Sequence, residues 1–257
     1  MSAPLLEVSG LRVAIGGHRV VDALDLAVGP GERLVILGCN GAGKTTLLHT
    51  LAGLRPPLAG DIALGGDPLQ DLTPQQMAQR RGVLLQQQVD AFPASVLETA
   101  LIGRHPWLSR WAWESAADAR IAREALAAVG LGGLAARDVH TLSGGERQRL
   151  AIATLLTQQP QLALLDEPLA HLDLNHQIAV LELFSRRAAE EGLGVVMVLH
   201  DINLARRYGD RALLLFGDGS SLAGDAGEMF QPELLSRLYR HPLRRVAIDG
   251  RDHFIPE

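Results

Sequence analysis

Residues 33–51 of the chain read RLVILGCNGAGKTTLLHTL. The short apolar run Arg33–Gly38 predicts a β-strand buried on both faces of a parallel sheet, because such strands lack polar alternation. A glycine-rich loop follows, and from Lys44 the apolar spacing predicts a helix that ends near Gly53. The leucines on the inner side of this helix are Leu47, Leu48 and Leu51. A strand, a glycine-rich loop and a helix in this order form the phosphate-binding P-loop unit.

The loop from Gly38 to Thr45 matches the P-loop pattern. Its glycines let successive backbone N–H groups point at phosphate oxygens, and the helix N-terminus adds partial positive charge. Lys44 is the single lysine of the chain, and its compact ammonium fits a tight loop where a guanidinium would be too wide. A glycine turn that binds nothing is the alternative, and the flanking strand and helix argue against it. The predicted nucleotide-binding residues are Gly38, Asn40, Gly41, Ala42, Gly43, Lys44, Thr45 and Thr46.

A second apolar run, Leu162–Leu165, ends in the two carboxylates Asp166 and Glu167. Parallel strands end at one edge of a sheet, so these acids are expected beside the P-loop. Asp166 and Thr45 are predicted to hold Mg²⁺, and Glu167 to polarise a water for attack on the γ-phosphate of ATP. An acidic strand end with solvated charges is the alternative, which the nearby P-loop disfavours.

The rest of the chain alternates apolar runs with helical patterns, which predicts an α/β fold with a mainly parallel sheet. The β-prone runs of Leu6–Val28, separated by glycines, predict a small N-terminal antiparallel sheet. Alanine-rich helical periodicity between Gln86 and Thr141 predicts a helical insertion. Further elements are predicted as strands at 162–165, 194–199 and 212–216, helices at 115–129, at 175–190 and from Pro232, and short β runs at 245–248 and 253–255.

A third motif, Leu142–Arg149, reads LSGGERQR and opens a helix. A serine and two glycines at a helix N-terminus offer a second group of phosphate-binding N–H donors. One nucleotide cannot easily use both loops of its own chain, so the economical arrangement is a two-fold dimer with shared sites. A capped helix with a Ser-Gly-Gly start is also common, and from the residues alone that reading stays open.

With these three motifs the sequence resembles the ABC ATPase family over nearly its whole length. Leu142–Glu146 looks like the family signature, Gln86 like the Q-loop glutamine, Leu172–Asp173 like the D-loop and His200 like the switch histidine. From the residues alone, a histidine after an apolar strand is more often a polar strand end, and Gln86, Gln87 and Gln88 could form a polar loop.

The resemblance implies roles for these residues. Ser143 and Gly145 of one subunit would contact the γ-phosphate bound to the P-loop of the other. Gln86 would join Mg²⁺ and the attacking water to the permease contact, and His200 would steady the γ-phosphate and Glu167. Gly144 and Asp173 complete the implied nucleotide-binding set.

The implied domain organisation is one ABC ATPase domain over residues 1–257. Residues 1–86 and 145–257 would form the nucleotide-binding core with its β subdomain, and residues 87–144 the helical subdomain. The implied cofactors are ATP and Mg²⁺. The implied partners are a second copy of the chain, integral-membrane permease subunits and, indirectly, a substrate-binding protein.

Composition limits the other functions. The net charge of −5 argues against a nucleic-acid binder, which usually carries a basic surface. No apolar stretch of about 18 residues and no secretory signal is evident in the sequence, so a cytoplasmic location is predicted, peripheral on the inner face of the cell membrane. The single cysteine, Cys39, agrees with a reducing compartment. Its place in the loop predicts that alkylation blocks the phosphates and that ATP protects the thiol.

The chain departs from the family pattern at two places, the position that usually stacks on adenine and the D-loop. Where an aromatic residue usually stacks on adenine, this chain has Ile15, so His18 or Arg19 would have to substitute, or the phosphates dominate binding. In the D-loop this chain has His171, and Ala170 precedes it at the position where the family often has a serine.

The insertion indicates which transporters the chain resembles. The segments Phe92–Val96 and Gly103–Trp107, and the tail Leu243–Gly250, look like cassettes of ferric-siderophore, haem and cobalamin importers. Trp107, Trp111 and Trp113 would offer apolar area to a partner or pack in the core. A non-transport ABC ATPase of translation or DNA maintenance is the alternative function, but the chain has no room for the second cassette or long coiled coils that such proteins need.

Overall fold

The structure, a computed structural model, describes residues 3–86, 93–109 and 112–257. Gln87, Gln88, Phe92 and Trp111 therefore lie outside the described residues. Its strands are β1 (Leu6–Ile15), β2 (His18–Val28), β3 (Arg33–Gly38), β4 (Ala59–Leu64), β5 (Asp67–Pro68), β6 (Arg81–Leu84), β7 (Leu162–Leu165), β8 (Gly194–Val198), β9 (Arg211–Leu215), β10 (Ser221–Asp225), β11 (Leu243–Ile248) and β12 (Arg251–Pro256).

The α-helices lie between β3 and β11 along the chain. They are α1 (Lys44–Leu51), α2 (Pro74–Arg80), α3 (Val96–Leu101), α4 (Ala116–Ala128), α5 (Gly144–Thr157), α6 (Leu174–Glu191), α7 (Ile202–Tyr208), α8 (Ala226–Met229) and α9 (Pro232–Tyr239). None of the helices in the described part of the chain combines the length and apolar character needed to cross a bilayer.

The central sheet has six strands in the order β10-β9-β3-β8-β7-β6. Only β10 pairs antiparallel within it; the other pairs are parallel. A four-stranded antiparallel sheet, β2-β1-β4-β5, and the hairpin β11-β12 complete the described strands. The predicted α/β fold with a mainly parallel sheet and an N-terminal antiparallel sheet is confirmed.

The core lies on both faces of the central sheet. Leu34 and Ile36 of β3 belong to one apolar cluster, and Val35 and Leu37 to the other, because neighbouring side chains of a strand point to opposite faces. The first cluster also contains the predicted inner leucines of α1 and most of the antiparallel sheet. Helix α1 is thus held between two sheets, which fixes the direction of the loop before it.

The helices of the insertion pack on one another and against α5. Ser115 and Val129 cap α4, and α6 ends at Gly192 with a left-handed φ of 71°, so these two predicted helices are confirmed. The sequence analysis missed α2, although Pro74 and the capping box of Thr73 and Gln76 mark its start. It also missed the exposed strand β10, which lacks an alternating apolar pattern.

Asp118 anchors the start of α4 to the rest of the insertion. Its carboxylate accepts hydrogen bonds from Ser115 N at 2.9 Å, Ser115 Oγ at 2.6 Å and Arg104 Nε at 2.8 Å. The bonds from Ser115, with a smaller contribution from Arg104, lower the pKa of Asp118 to about 2. The ionised carboxylate is therefore the form that stabilises the fold.

Replacing Asp118 by Asn should lower the free energy of unfolding by about 1–2 kcal/mol near neutral pH, since charge-assisted bonds are lost. The pKa of Asp118 is lower in the folded protein than in the unfolded chain, where it is about 3.9. Its contribution to stability is therefore fully present above about pH 3.9 and is lost as the pH falls toward 2. The difference between wild type and variant should therefore shrink between pH 4 and pH 2 in urea unfolding. Glu124→Gln, which breaks an exposed pair with Arg120, is the matched control; an equal effect there would contradict the prediction.

Candidate functional site

The loop between β3 and α1 has a backbone that requires glycine. Gly41 and Gly43 have φ values of 80° and 90°, which side-chain-bearing residues rarely adopt. A Cβ added at Gly43 would also lie 2.5 Å from Val20 Cγ2, a clash. The glycine loop predicted from the sequence is thus held tightly against strand β2.

Lys44 is almost fully buried at the base of this loop, with 6% of its surface exposed. Its Nζ donates hydrogen bonds to Gly38 O at 2.8 Å and Cys39 O at 3.1 Å. Burial lowers the pKa of the Lys44 ammonium, and the negative charges of Glu167 and Asp166 oppose this shift. A cation is therefore fixed at the base of the loop by two of the loop's own carbonyl oxygens.

Asp166 follows the end of β7 and is completely buried. Its Oδ1 accepts a hydrogen bond from Thr45 Oγ1 at 3.1 Å. Its Oδ2 has no hydrogen-bond partner among the described residues and lies 4.0 Å from His49 Nε2. Burial is the main cause that raises the pKa of Asp166. An unpartnered buried carboxylate oxygen beside a hydroxyl is a donor set that suits a small divalent cation such as Mg²⁺.

Glu167 comes next, in a left-handed backbone conformation with φ of 50°. For a residue other than glycine this costs about 1–3 kcal/mol and is typical of functional sites. The Glu167 side chain therefore does not continue the direction of β7. Its Oε1 lies 2.8 Å from Nε2 of His200. His200 follows β8 by two residues, so adjacent parallel strands deliver this pair to one edge of the sheet.

These groups surround one cavity of about 540 Å³. Its lining consists of Ile15, Asn40, Gly41, Gly43, Lys44, Thr45, Thr46, Gln86, Glu167 and His200. The structure therefore brings together most of the predicted P-loop residues with three residues from other strand ends. Gly38 and Ala42, also predicted to bind nucleotide, lie beneath this surface and are not part of the lining.

The predicted signature residues lie elsewhere and do not line this cavity. Ser143 caps α5 in a capping box, in which its Oγ accepts from Glu146 N at 3.3 Å and its own N–H donates to Glu146 Oε2 at 2.8 Å. Gly144 and Gly145 lie against His171: a Cβ on Gly145 would be 3.0 Å from His171 O. The unusual D-loop histidine thus packs on the start of the signature helix, with φ of 64°.

Asp173 also lies outside the cavity lining. It caps α6, accepting a hydrogen bond from His176 N at 2.9 Å and lying 2.8 Å from His176 Nδ1. The bond from His176 N lowers the pKa of Asp173. Asp166, the predicted metal ligand, does not line the cavity but contacts Thr45, which does. In a single chain, then, the predicted site residues form two groups: those at the cavity, with the buried Gly38, Ala42 and Asp166 beside its lining, and the set Ser143, Gly144, Gly145 and Asp173.

Comparisons with known proteins agree with this geometry. The sequence profile of the ABC transporter family matches residues 21–170. The hemin import ATP-binding protein HmuV of Streptomyces coelicolor is 42% identical over 239 residues, covering 93% of this chain and 84% of that protein. The chain belongs to the ABC transporter family. It is an ATP-binding cassette and an ATPase, as the sequence predicted.

Other relatives of this ABC cassette are similarly close. The petrobactin import ATP-binding protein FpuD of Bacillus anthracis is 38% identical, covering 91% of this chain and 86% of that protein. Among solved structures, an inward-facing metal-chelate type ABC transporter has a TM-score of 0.87 at 29% identity, covering 99% of this chain and 98% of that one. A dimeric post-hydrolysis cassette bound to ADP and Pi has a TM-score of 0.74 at 26% identity, covering 86% and 98%.

Two polar residues of this ABC cassette were missed by the sequence analysis. His49 faces Asp166, and its position four residues after Thr45 on α1 places both on one helix face, a signal that could have found it. Gln148 of α5 is buried and donates to Pro168 O at 3.0 Å. No local pattern identifies Gln148, because its partner is 20 residues away.

Among the described residues, Ile15 is the one large apolar residue in the cavity lining, and it is 43% exposed. The proposed substitutes for an aromatic residue at this position do not line the cavity. Arg19 instead forms an ion pair with Asp22 at 3.2 Å, and His18 is exposed at the start of β2. What contacts the adenine base stays a prediction.

The Cys39 thiol does not face the cavity, although the sequence predicted that it lies beside the phosphates. Its Sγ donates a hydrogen bond to Leu238 O of α9 at 3.1 Å, and the residue does not line the cavity. The thiol therefore faces the C-terminal helix rather than the P-loop interior. The local reason is that Cys39 leaves β3 on the side covered by α9, which the sequence does not reveal.

We accordingly expect Cys39→Ala to leave the dissociation constant for ATP within about two-fold of wild type, since one weak bond outside the cavity is lost. Isothermal titration calorimetry would measure this constant. A loss of affinity beyond tenfold would show that the thiol does reach the nucleotide.

Proposed function

We propose that the chain is the ATP-hydrolysing subunit of an importer for haem or ferric siderophores, with cobalamin as the related cargo to be tested beside them. The observation that carries this proposal is the similarity to hemin and petrobactin import ATP-binding proteins, at 38–42% identity over about nine-tenths of the chain. The cavity at the P-loop supports the ATPase half of the proposal independently.

In the proposed reaction, the loop N–H groups and the Lys44 ammonium hold the β- and γ-phosphates. Glu167 accepts a proton from the water that attacks the γ-phosphate in line, while the bond from the γ-phosphorus to the bridging oxygen breaks and ADP leaves with that oxygen. His200, 2.8 Å from Glu167, orients that carboxylate and donates to the γ-phosphate. Gln86 lies exposed at the cavity edge, two residues after β6, where it can contact the attacking water.

Asp166, Thr45 and Gln86 are proposed to hold Mg²⁺ when ATP is bound. Two observations support this assignment. Asp166 Oδ2 has no hydrogen-bond partner among the described residues, and Asp166 Oδ1 accepts a hydrogen bond from Thr45 Oγ1. The ion would neutralise charge on the phosphate oxygens. Burial in the protein raises the pKa of Asp166, and a bound cation would oppose that shift, because a nearby positive charge favours the ionised carboxylate.

The second group of site residues supports a dimer. Ser143, Gly144 and Gly145 form a helix start that does not line the cavity of its own chain, and backbone N–H groups at a helix start can bind an anion. In a two-fold pair, each such helix start can close the cavity of the other copy. ATP would then be bound between the P-loop of one protomer and the signature of its partner, with Asp173 at the same interface.

The helical insertion, residues 87–144, is proposed to meet the permease at the inner face of the membrane. Trp113 and Ile102 are 89% and 51% exposed, and such area favours a protein partner. Trp107 is more enclosed, with its Nε1 donating to Gln158 O at 2.8 Å. ATP binding would close the two cassettes and hydrolysis would reopen them, moving the permease. A substrate-binding protein would deliver cargo on the other side.

Uptake assays test this function directly. In cells that lack the chain, hemin and ferric-siderophore uptake should be lost, and wild-type protein should restore at least one of them. Glu167→Gln is the matched control, because it retains the fold but should not restore uptake. Unchanged uptake of hemin, ferric siderophores and cobalamin would contradict the proposal, and failure to co-purify with any membrane protein would favour a non-transport role.

Ile15 provides a separate prediction. Replacing it by Tyr should lower the dissociation constant for ATP about five-fold or more, because base–aromatic stacking contributes about 1–3 kcal/mol. Ile248→Tyr, at an exposed position of β11, is the matched control and should change nothing. Equal affinities for all three proteins would mean that the base does not lie against Ile15.

A further inference from the structure

Gln148 is a buried amide at the junction of the two groups of site residues. It lies on α5, five residues after Ser143, with 7% of its surface exposed. Its Nε2 donates to Pro168 O at 3.0 Å and lies 3.5 Å from Glu167 O. A buried amide is costly unless its donors are satisfied, so these contacts hold the side chain in one place.

The backbone that Gln148 contacts carries the proposed catalytic carboxylate. Glu167 is held in a left-handed conformation, and the following turn is closed by a hydrogen bond from Ala170 N to Glu167 O at 3.1 Å. Strained conformations persist only when surrounding contacts fix them. The amide of Gln148 is a contact of this kind, because it binds the carbonyl oxygen of the very next residue, Pro168.

The other end of the connection is the start of α5. The capping box of Ser143 and Glu146 makes this first turn rigid, so Gln148 moves with the signature residues. A second contact runs in parallel, since Gly145 lies directly against the backbone of His171. The segment from Glu167 to His171 is thus attached to the signature helix at both of its ends.

We propose that Gln148 is a positioning residue that aligns the Glu167 carboxylate with the triphosphate. In the dimer proposed above, it transmits contact between Ser143–Gly145 and the partner's nucleotide to the catalytic carboxylate of its own site. This inference rests on the proposed roles of Glu167 and of the signature residues. Gln148 itself touches no substrate.

Gln148→Met tests the connection, because methionine has a similar length and no N–H donor. We expect kcat for ATP hydrolysis to fall about tenfold or more, with KM for ATP within about three-fold, since small misplacement of a reacting group lowers the rate strongly. Gln148→Asn, which keeps the amide on a shorter stem, should recover part of the rate. Gln158→Met is the matched control: Gln158 ends the same helix and donates to Arg81 O at 2.7 Å, outside the cavity lining.

Combination with Glu167→Gln separates positioning from a general structural effect. If Gln148 acts only through Glu167, the double variant Gln148→Met with Glu167→Gln hydrolyses ATP no more slowly than Glu167→Gln alone. The inference is overturned if Gln148→Met matches the control Gln158→Met, or if the two losses multiply. Should Gln148→Met fail to fold by circular dichroism and gel filtration, Gln148→Asn takes its place in the same cycle. Wild-type turnover in Glu167→Gln would instead refute the site assignment.

Discussion

Replacing Glu167 by Gln should lower ATP turnover by about 10²–10⁴-fold, the range expected when a general base is removed. Glutamine keeps the shape of the side chain and its contact with His200 but cannot accept the proton of the attacking water. ATP binding should be retained, because the proposed contacts to the phosphates come from the loop and Lys44 and not from Glu167. The bound nucleotide should therefore trap two protomers together.

Two measurements check this result. Single-turnover hydrolysis gives the rate of the chemical step, and gel filtration with and without ATP reports the trapped dimer. Asp201→Asn is a matched control, since Asp201 caps α7 beside His200 and does not line the cavity. Turnover near wild type in Glu167→Gln would exclude Glu167 as the catalytic base.

Lys44→Ala should weaken ATP binding by about 100-fold or more. The substitution removes a buried cation, and the charge-assisted bonds to phosphate that we propose for it would contribute several kcal/mol. Lys44→Arg is the matched variant: it keeps the charge, but a planar guanidinium cannot occupy the narrow space between Gly38 O and Cys39 O. Neither variant should show normal ATP binding in isothermal titration calorimetry. A near-normal dissociation constant for either would show that the ammonium does not contact the nucleotide.

Mixing Lys44→Ala with a signature variant tests whether the sites are shared. Gly144→Asp is suitable because a Cβ there meets only His171 atoms at 3.6–3.8 Å, and a carboxylate at a helix N-terminus does not harm the helix. It would repel the partner's triphosphate. In a mixed pair both defects fall on one shared site and the other site is intact, so a mixed pair should turn over at about half the wild-type rate. Random mixing makes about half of the dimers mixed, so the whole mixture should recover to roughly a quarter of wild type. No recovery from mixed pairs of proven composition would contradict shared sites.

Much of this site follows from local sequence. The P-loop requires glycines at left-handed positions and one small cation, and both are visible in residues 38–45. Asp166 and Glu167 end a run of four apolar residues, which marks a buried strand whose edge position is set by the rules of parallel sheets. The leucine spacing of α1 and the alanine-rich pattern of α4 likewise predict their helices, because burial of one helix face imposes that period.

Other features depend on contacts between distant segments. The thiol of Cys39 turns toward α9, about 200 residues later, and away from the phosphates. His171 packs against the signature glycines, which no property of the D-loop sequence indicates. Gln148 reaches Pro168 only because the start of α5 lies against the turn that follows Glu167 in the folded chain.

By itself, the sequence determined the α/β fold, the ATP-binding loop, the acidic pair and the ABC family, because each depends on residue types at fixed short spacings. Only the tertiary structure decided which of the predicted residues share a cavity, that the signature set lies apart from it, and which buried amide connects the two. Those relations depend on how separate elements pack, and packing distances are not encoded in any short segment of the chain.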